Sequence, residues 1–147
     1  MPLILPVKDK SPVWGSDCYI AENSTIVGDV IMGDNCSVWF NAVIRGDVNY
    51  IKIGNNVSIG HNALVHGCIL HDNVLIGMGA IVMDYAVVEP FVIIAAGAIV
   101  LEKTICESGY LYAGIPAKKI KPITDEQREM LKRLPNNYIM YSSWFKE

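Results

Sequence analysis

Apolar side chains recur at intervals of six residues along most of this 147-residue chain. An amphipathic helix repeats near 3.6 residues, so a period of six excludes a helix and is typical of short strands separated by tight turns. The frame is interrupted once, between Ile44 and Ile53, and it loses one residue between Val65 and Leu70. The repeating positions are Ile20, Ile26, Met32, Val38, Ile44, Ile53, Ile59, Val65, Leu70, Ile76, Val82, Val88, Ile94 and Val100.

Turn-forming residues separate these apolar positions, as in Gly33-Asp34-Asn35 and Gly54-Asn55-Asn56. Three strand-and-turn units close a triangular coil, and stacked coils bury their aliphatic side chains against one another, as in other solenoids. The repeat therefore predicts an all-β solenoid, a parallel β-helix built from hexapeptide units. A β-sandwich of short strands is the alternative, but a sandwich does not hold one six-residue frame through so many consecutive units.

We expect a single domain over residues 1–147, with the β-helix at about 11–105 and a connecting segment at 106–123. Thr124-Asp125-Glu126-Gln127 matches a helix capping box, and Pro135 should end that helix, which places a capping helix at 124–134. Such a helix would cover the apolar end of the solenoid. The tail, 135–147, would finish the cap or reach a neighbouring subunit.

Composition narrows the set of partners and compartments. Hydrophobic residues make up 52% of the chain and charged residues 18%, which suits a buried core. The net charge of −3 argues against nucleic acid as the main partner. No apolar run reaches the length of a membrane helix and no signal peptide is evident, so we expect no membrane partner and a cytoplasmic location.

The four cysteines form no Cys-x-x-Cys pair, which argues against a structural zinc knuckle. Cys18 and Cys36 are three hexads apart and should stack in neighbouring coils. A disulfide is sterically conceivable there, although a cytoplasmic chain would keep both thiols reduced.

All three histidines lie within eleven residues of each other, at positions 61, 66 and 71. His61 and His66 should point outward, because Ile59, Ala63 and Val65 take the inward positions. Outward histidines on a repeat are either solvent-exposed side chains without a specific role or ligands at an interface. The second alternative is chemically reasonable because imidazole is a common ligand of zinc.

Arg45-Gly46-Asp47 interrupts the six-residue frame. An arginine and an aspartate two residues apart can serve subunit pairing or substrate positioning. A solvated charge pair is the alternative interpretation.

Four segments together resemble one known family, the gamma-class carbonic anhydrase-like proteins of the hexapeptide-transferase superfamily. The resemblance extends from about Ser11 to Tyr141. The segments are Ser-Val-Trp-Phe-Asn-Ala-Val-Ile-Arg-Gly-Asp (37–47), Ile-Gly-His-Asn-Ala-Leu-Val-His-Gly-Cys (59–68), Leu-Ile-Gly-Met-Gly-Ala (75–80) and Gly-Tyr-Leu-Tyr-Ala-Gly-Ile-Pro-Ala (109–117).

The resemblance implies a homotrimer of left-handed β-helices in which zinc or iron lies between subunits. Three histidines hold that metal, which makes hydroxide that attacks carbon dioxide to give bicarbonate. His61 and His66 match two of the ligands and would come from different subunits. Arg45 and Asp47 match an inter-subunit pair near the site, and Tyr112 lies in the segment that brings a tyrosine toward the metal.

The chain departs from the family at the first histidine ligand. In the family, the step that matches Ile53 to Asn56 is followed by a further coil bearing that ligand, whereas here Asn56 runs directly into Val57. The absence of these residues leaves the six-residue frame unchanged, so the prism should still form with one coil fewer. The missing coil should lie directly beneath the one bearing His66. We do not expect His71 to replace the lost ligand, because it lies a further face around the prism.

Three functions remain open from the sequence. The first is a gamma-class carbonic anhydrase-like metal enzyme, acting on carbon dioxide or bicarbonate, if another group completes the metal site. The second is a catalytically inactive trimeric scaffold that lacks the metal. The third is an acyltransferase or acetyltransferase, which needs only one histidine as a general base at a subunit cleft.

Overall fold

The computed structural model describes residues 1–145, and for residues 135–139 and 142 it describes the backbone alone. Over residues 1–145, seventeen strands precede one α-helix and a single 3-10 turn. The strands are β1 Leu3–Leu5, β2 Val13–Trp14, β3 Tyr19–Ile20, β4 Thr25–Met32, β5 Ser37–Val38, β6 Val43–Ile53, β7 Ser58–Ile59, β8 Leu64–His66, β9 Ile69–Leu70, β10 Leu75–Ile76, β11 Ile81–Val82, β12 Val87–Val88, β13 Ile93–Ile94, β14 Ile99–Val100, β15 Ile105–Cys106, β16 Tyr110–Ala113 and β17 Lys118–Pro122. The helix is α1 Asp125–Ser142, followed by the 3-10 turn Ser143–Phe145.

The strands of the solenoid, β1 to β16, pair in parallel with their counterparts in neighbouring coils, so the chain forms a prism with three faces. Face A contains β1, the first parts of β4 and β6, then β8, β11 and β14. Face B contains β2, the last parts of β4 and β6, then β9, β12 and β15. Face C contains β3, β5, β7, β10, β13 and β16. The predicted left-handed parallel β-helix is confirmed.

The repeating aliphatic residues form one continuous column inside the prism. On face C, Ile59, Ile76 and Ile94 pair in register and are fully buried. Burial of one such side chain contributes about 1.5–3 kcal/mol. Since every coil repeats the arrangement, the core depends on the six-residue frame more than on any single contact.

Coil length changes only where the frame departs from six. Along face A, 21 residues separate Ile44 from Val65, 17 separate Val65 from Val82, and 18 separate Val82 from Val100. The three added residues lie in β6, and the lost residue falls in the turn after His66. Both irregularities lie on the edge between faces A and B, which we call the site edge.

The β-helix is longer than the sequence predicted. It begins before residue 11, because Leu3–Leu5 pairs with β4, and β16 in the expected connecting segment pairs in parallel with β13. The antiparallel strand β17 then covers the outer edge of β16. An exposed edge invites further strand pairing, so β17 closes this end of face C.

The helix starts as predicted but ends later. The backbone N–H of Gln127 donates to Thr124 Oγ1 at 3.0 Å, and the N–H of Thr124 donates to Gln127 Oε1 at 2.8 Å, which confirms the capping box. The prediction that Pro135 ends the helix is wrong, because α1 continues to Ser142. An internal proline costs about 3 kcal/mol. Beyond the helix, the Phe145 ring packs 5.4 Å from that of Phe40.

The helix lies along the flank of face C. Near its start the Arg128 guanidinium stacks 4.4 Å from the Phe91 ring, Leu131 is buried, and further on α1 contacts β3 in the first coil. A helix of 18 residues is about 27 Å long, enough to span several coils spaced about 4.8 Å apart. Neither helical segment among residues 1–145 is long and apolar enough to cross a membrane.

Candidate metal centre

His66 ends β8 on the site edge, where it lies beside Arg45 of the preceding coil. The two residues are direct partners in the parallel ladder between β6 and β8, as are Ile44 and Val65. Neighbouring strands in a sheet are about 4.8 Å apart, so the Arg45 backbone is one strand spacing from that of His66. The coil expected between them in the family is absent, and the two coils on either side pair without a gap.

The three extra residues of β6 allow Asp47 to fold back toward Arg45. Arg45 Nε donates to Asp47 Oδ2 at 2.8 Å, and the backbone N–H of Val48 donates to Asp47 Oδ1 at 2.9 Å. The Arg45 guanidinium holds the pKa of the Asp47 carboxyl below its usual value, so the group is ionised at neutral pH. The two residues pair within one chain here, and their role between subunits stays a prediction.

The imidazole of His66 is oriented by a carboxylate from the next coil. Asp84, 18 residues further on, places Oδ1 against His66 Nδ1 in a hydrogen bond. A carboxylate at Nδ1 favours the tautomer with its proton there, which leaves the Nε2 lone pair available to a metal. Nε2 points toward Asp47, whose Oδ1 is 3.8 Å away.

Gly67 makes this arrangement sterically possible. It has a φ of +48°, and a Cβ added to it would lie 2.3 Å from Asp84 Oδ1 and 2.9 Å from Asn49 Cβ. Asn49 Nδ2 donates to the Gly67 carbonyl at 2.7 Å and holds the shortened turn against the extended corner of β6. The two irregularities of the frame are therefore joined by a hydrogen bond.

His61 lies on a different edge, between faces C and A. It is exposed and lines a cavity of about 290 Å³ with Trp39, Phe40 and Met78 among its walls. The five residue steps from His61 to His66 span up to about 16 Å of chain. Among residues 1–145, no group of three or more His, Cys, Asp or Glu side chains of one chain is arranged to hold a metal ion. Because the two histidines lie on different edges of the prism, we expect a site that uses both to need a second subunit.

The other candidate donors lie away from His66 Nε2. His71 lines a cavity with Ile31 and Lys52, near the edge between faces B and C, so the three histidines occupy three different edges. Cys68 is buried, and desolvation raises the pKa of its thiol to about 12. Cys18 and Cys36 lie in neighbouring coils as expected, and both are free thiols.

Tyr112 lies in the core at the far end of face C. It pairs in register with Ile94 and lies three strands beyond Ile59 on that face. Its hydroxyl oxygen accepts a hydrogen bond from the N–H of Glu107 at 2.8 Å. The structure does not bring it to the site edge. Its predicted role beside a metal stays a prediction.

Comparison with known proteins identifies relatives over most of the chain. The family model for the bacterial transferase hexapeptide (six repeats) matches residues 15–46. A carbonic anhydrase from Geobacillus kaustophilus is 32% identical over 98% of this chain and 91% of its own length. Mitochondrial gamma carbonic anhydrase 2 from Arabidopsis thaliana is 34% identical over 92% of this chain, but the chain spans only 59% of that relative.

Solved structures give the same picture of the fold. A putative acetyltransferase from Bacillus cereus superposes with a TM-score of 0.80 at 32% identity, over 98% of this chain and 96% of the other. A hexapeptide transferase family protein from Anaplasma phagocytophilum gives a TM-score of 0.78 at 37% identity, over 98% of both chains.

The alignment length also shows that this chain has fewer residues than the aligned part of a relative. The match to the Geobacillus protein extends over 166 residues, whereas this chain has 147 in total. At least 19 aligned positions therefore have no residue of this chain opposite them. One coil of this prism contains 17 to 21 residues, so the difference is equivalent to about one coil.

Proposed function

This chain belongs to the gamma carbonic anhydrase-like proteins of the hexapeptide transferase family, and we propose that it binds zinc or iron between the subunits of a homotrimer. His61 of one subunit and His66 of the next hold the metal. The bound metal supports the reversible hydration of carbon dioxide to bicarbonate.

The orientation of His66 carries this proposal. A histidine that ligates a metal usually donates its other ring nitrogen to a carboxylate or carbonyl, which fixes the ring and raises its basicity. Asp84 supplies that partner at Nδ1 of His66, and Nε2 stays available on the outer side. Nitrogen donors of this kind suit both zinc and non-haem iron. His66 thus fits a metal ligand on the chemistry of its surroundings.

The other residues of the site edge have roles that follow from their charge. Arg45 is half exposed beside His66, and its guanidinium would attract the anionic product, bicarbonate. The exposed position of His61 suits a ligand that has to reach another subunit. When bound, the metal supplies Lewis-acid activation of water near neutral pH.

Metal analysis of the purified protein, combined with a carbon dioxide hydration assay, tests the proposal. We expect metal bound to the trimer and hydration activity that a chelator removes. Because two imidazoles hold zinc less firmly than three, we also expect faster metal loss to chelator than from relatives that keep the third histidine. A trimer that purifies without metal, gains none on addition of zinc or iron and is indifferent to chelator would instead indicate the inactive scaffold.

Acyl transfer is the second candidate function. The observation that favours it is the Bacillus cereus neighbour described as a putative acetyltransferase, together with an apolar cavity beside His61 in which a histidine could act as a base. Calorimetry with coenzyme A tests it. Binding at micromolar concentrations would support acyl transfer, and no heat of binding would remove it.

A further inference from the structure

We infer that Asp47 is the third protein ligand of the metal, so that this chain holds it with two histidines and one carboxylate. This inference rests on the proposed metal site. A catalytic zinc normally has three protein ligands, drawn from nitrogen, oxygen and sulfur donors. His61 and His66 supply two, so the third donor has to lie within reach of His66 Nε2.

The geometry at Nε2 favours Asp47. Ligand atoms about 2.1 Å from one metal lie about 3.4 Å apart at the tetrahedral angle and at most about 4.2 Å apart. Asp47 Oδ1 and His66 Nε2 are 3.8 Å apart, within that range. The carboxylate of Asp84 contacts the opposite nitrogen, Nδ1, and so acts as the orienting partner of the imidazole.

The missing coil explains why an aspartate takes this place. Arg45 and His66 are direct ladder partners, so the corner of β6 that carries Asp47 is adjacent to His66. An intervening coil would move that corner about 4.8 Å further from Nε2, beyond the reach of a shared metal. The loss of the coil thus removes one ligand and brings another into range.

Asp47 also has the surroundings of a metal ligand. Arg45 binds Oδ2 and Val48 donates its N–H to Oδ1, so the carboxylate is fixed in orientation while Oδ1 retains a lone pair. Hydrogen bonds to a ligating carboxylate are typical of the outer shell of metal sites. Two histidines with one carboxylate form a set used by both zinc enzymes and non-haem iron enzymes.

Titration of the metal-free trimer with Co²⁺, followed by visible absorption and calorimetry, tests the inference without an activity assay. Asp47→Asn keeps the shape of the side chain but removes the charged donor. We expect it to weaken Co²⁺ binding by more than 100-fold, above the 10–100-fold effect of an orienting residue. Asp47→His supplies a third imidazole and should restore tight binding with a shifted absorption band.

Glu102→Gln is the matched control, since it removes an acidic charge from the same edge two coils beyond His66 and should leave Co²⁺ affinity unchanged. His66→Asn tests the proposed function itself and should abolish binding. If wild type binds Co²⁺, His66→Asn does not, and Asp47→Asn binds as tightly as wild type, the inference is overturned while the metal site stands. If wild type binds no Co²⁺, the metal site and this inference both fail. Sedimentation and circular dichroism check that each variant remains a folded trimer.

Discussion

Two edges of the same prism use their polar side chains differently. On the edge between faces B and C, one carboxylate or amide oxygen per coil accepts a backbone N–H from the preceding coil. Ser16 donates to Asp34 at 2.9 Å, Asp34 to Asn55 at 2.8 Å, and Asn55 to Asp72 at 2.8 Å. We call this series the ladder edge. On the site edge, the carboxylates of Asp47 and Asp84 turn instead toward the side chains of an arginine and a histidine.

The difference follows from coil length. Because the turns of the ladder edge superpose, Asp34, Asn55 and Asp72 each accept a backbone N–H from the coil before. On the site edge, three residues are added before His66 and one is lost after it, so the turns no longer superpose. The carboxylates there, which have no equivalent turn beneath them, bind the side chains of Arg45 and His66 instead. A regular repeat builds the fold, and its irregularities build the site.

The largest effect on stability should come from the core that both edges share. Ile76 is fully buried on face C between Ile59 and Ile94. Ile76→Ala should lower the free energy of unfolding by about 2–5 kcal/mol through lost burial and a cavity. Urea unfolding followed by circular dichroism measures this, and a change below about 1 kcal/mol would show that neighbouring coils collapse into the space.

The next largest effect should follow a change at Gly67 on the site edge. Its positive φ and the close approach of Asp84 leave no room for a Cβ. Gly67→Ala should cost about 1–3 kcal/mol and displace the carboxylate from His66. Gly79→Ala is the comparison, since Gly79 has a φ of +69° but no atom within 4 Å of the added Cβ. Equal losses in both variants would assign the whole effect to backbone strain.

A smaller loss is expected on the ladder edge. Asp34→Ala removes the acceptor for the N–H of Ser16, which should lower the free energy of unfolding by about 1 kcal/mol. Metal affinity should not change, because Asp34 lies on another edge. A drop in metal affinity in this variant would contradict the claim that the ladder edge contributes to stability only and the site edge to metal binding.

For Asp84 on the site edge, we expect metal affinity to fall while the free energy of unfolding stays nearly unchanged. Asp84→Asn should weaken metal binding by about 10–100-fold, because an amide orients the His66 imidazole less strongly than a carboxylate. Unfolding free energy should change by less than about 0.5 kcal/mol, as for other partly exposed positions. Calorimetric titration with zinc gives the first quantity and urea unfolding the second. Unchanged zinc affinity would remove Asp84 from the site.

The last prediction concerns the reactivity of Cys18, which lies next to the start of the ladder edge. A hydrogen bond from the Cys36 thiol lowers the pKa of Cys18 to about 7, whereas burial keeps the pKa of Cys68 and Cys106 near 12. The thiolate of Cys18 therefore forms as pH rises through about 7. Alkylation by iodoacetamide should increase between pH 6 and about 8 and then level off. Cys36→Ala should shift this profile to higher pH, and an unshifted profile would contradict the assigned cause.

The fold could be predicted from the sequence because every repeating aliphatic position indicates the same thing, an inward-facing residue of a short strand. The frame through Ile53, Ile59 and Val65 predicted correctly that neighbouring coils pair without a break at this point. The end of the helix was predicted wrongly at Pro135, since local propensity is only a weak guide to where a helix ends.

The site was less accessible from the sequence. His66 could be proposed from motif resemblance, but its partner Asp84 could not, because their pairing depends on how neighbouring coils superpose. A search for acidic residues one coil beyond each histidine would have found it. The approach of Asp47 to Nε2 needed the register between β6 and β8, which the interruption of the frame concealed.

Metal binding by mixed trimers tests most directly the central claim that two subunits share each site. His61→Ala and His66→Ala chains are prepared separately, then unfolded and refolded together. Each variant alone should bind no Co²⁺, while every mixed trimer should regain a single intact site, with His61 from one variant and His66 from the other. Co²⁺ bound by either variant alone, or none bound by the mixed trimers, would contradict a metal centre shared between subunits.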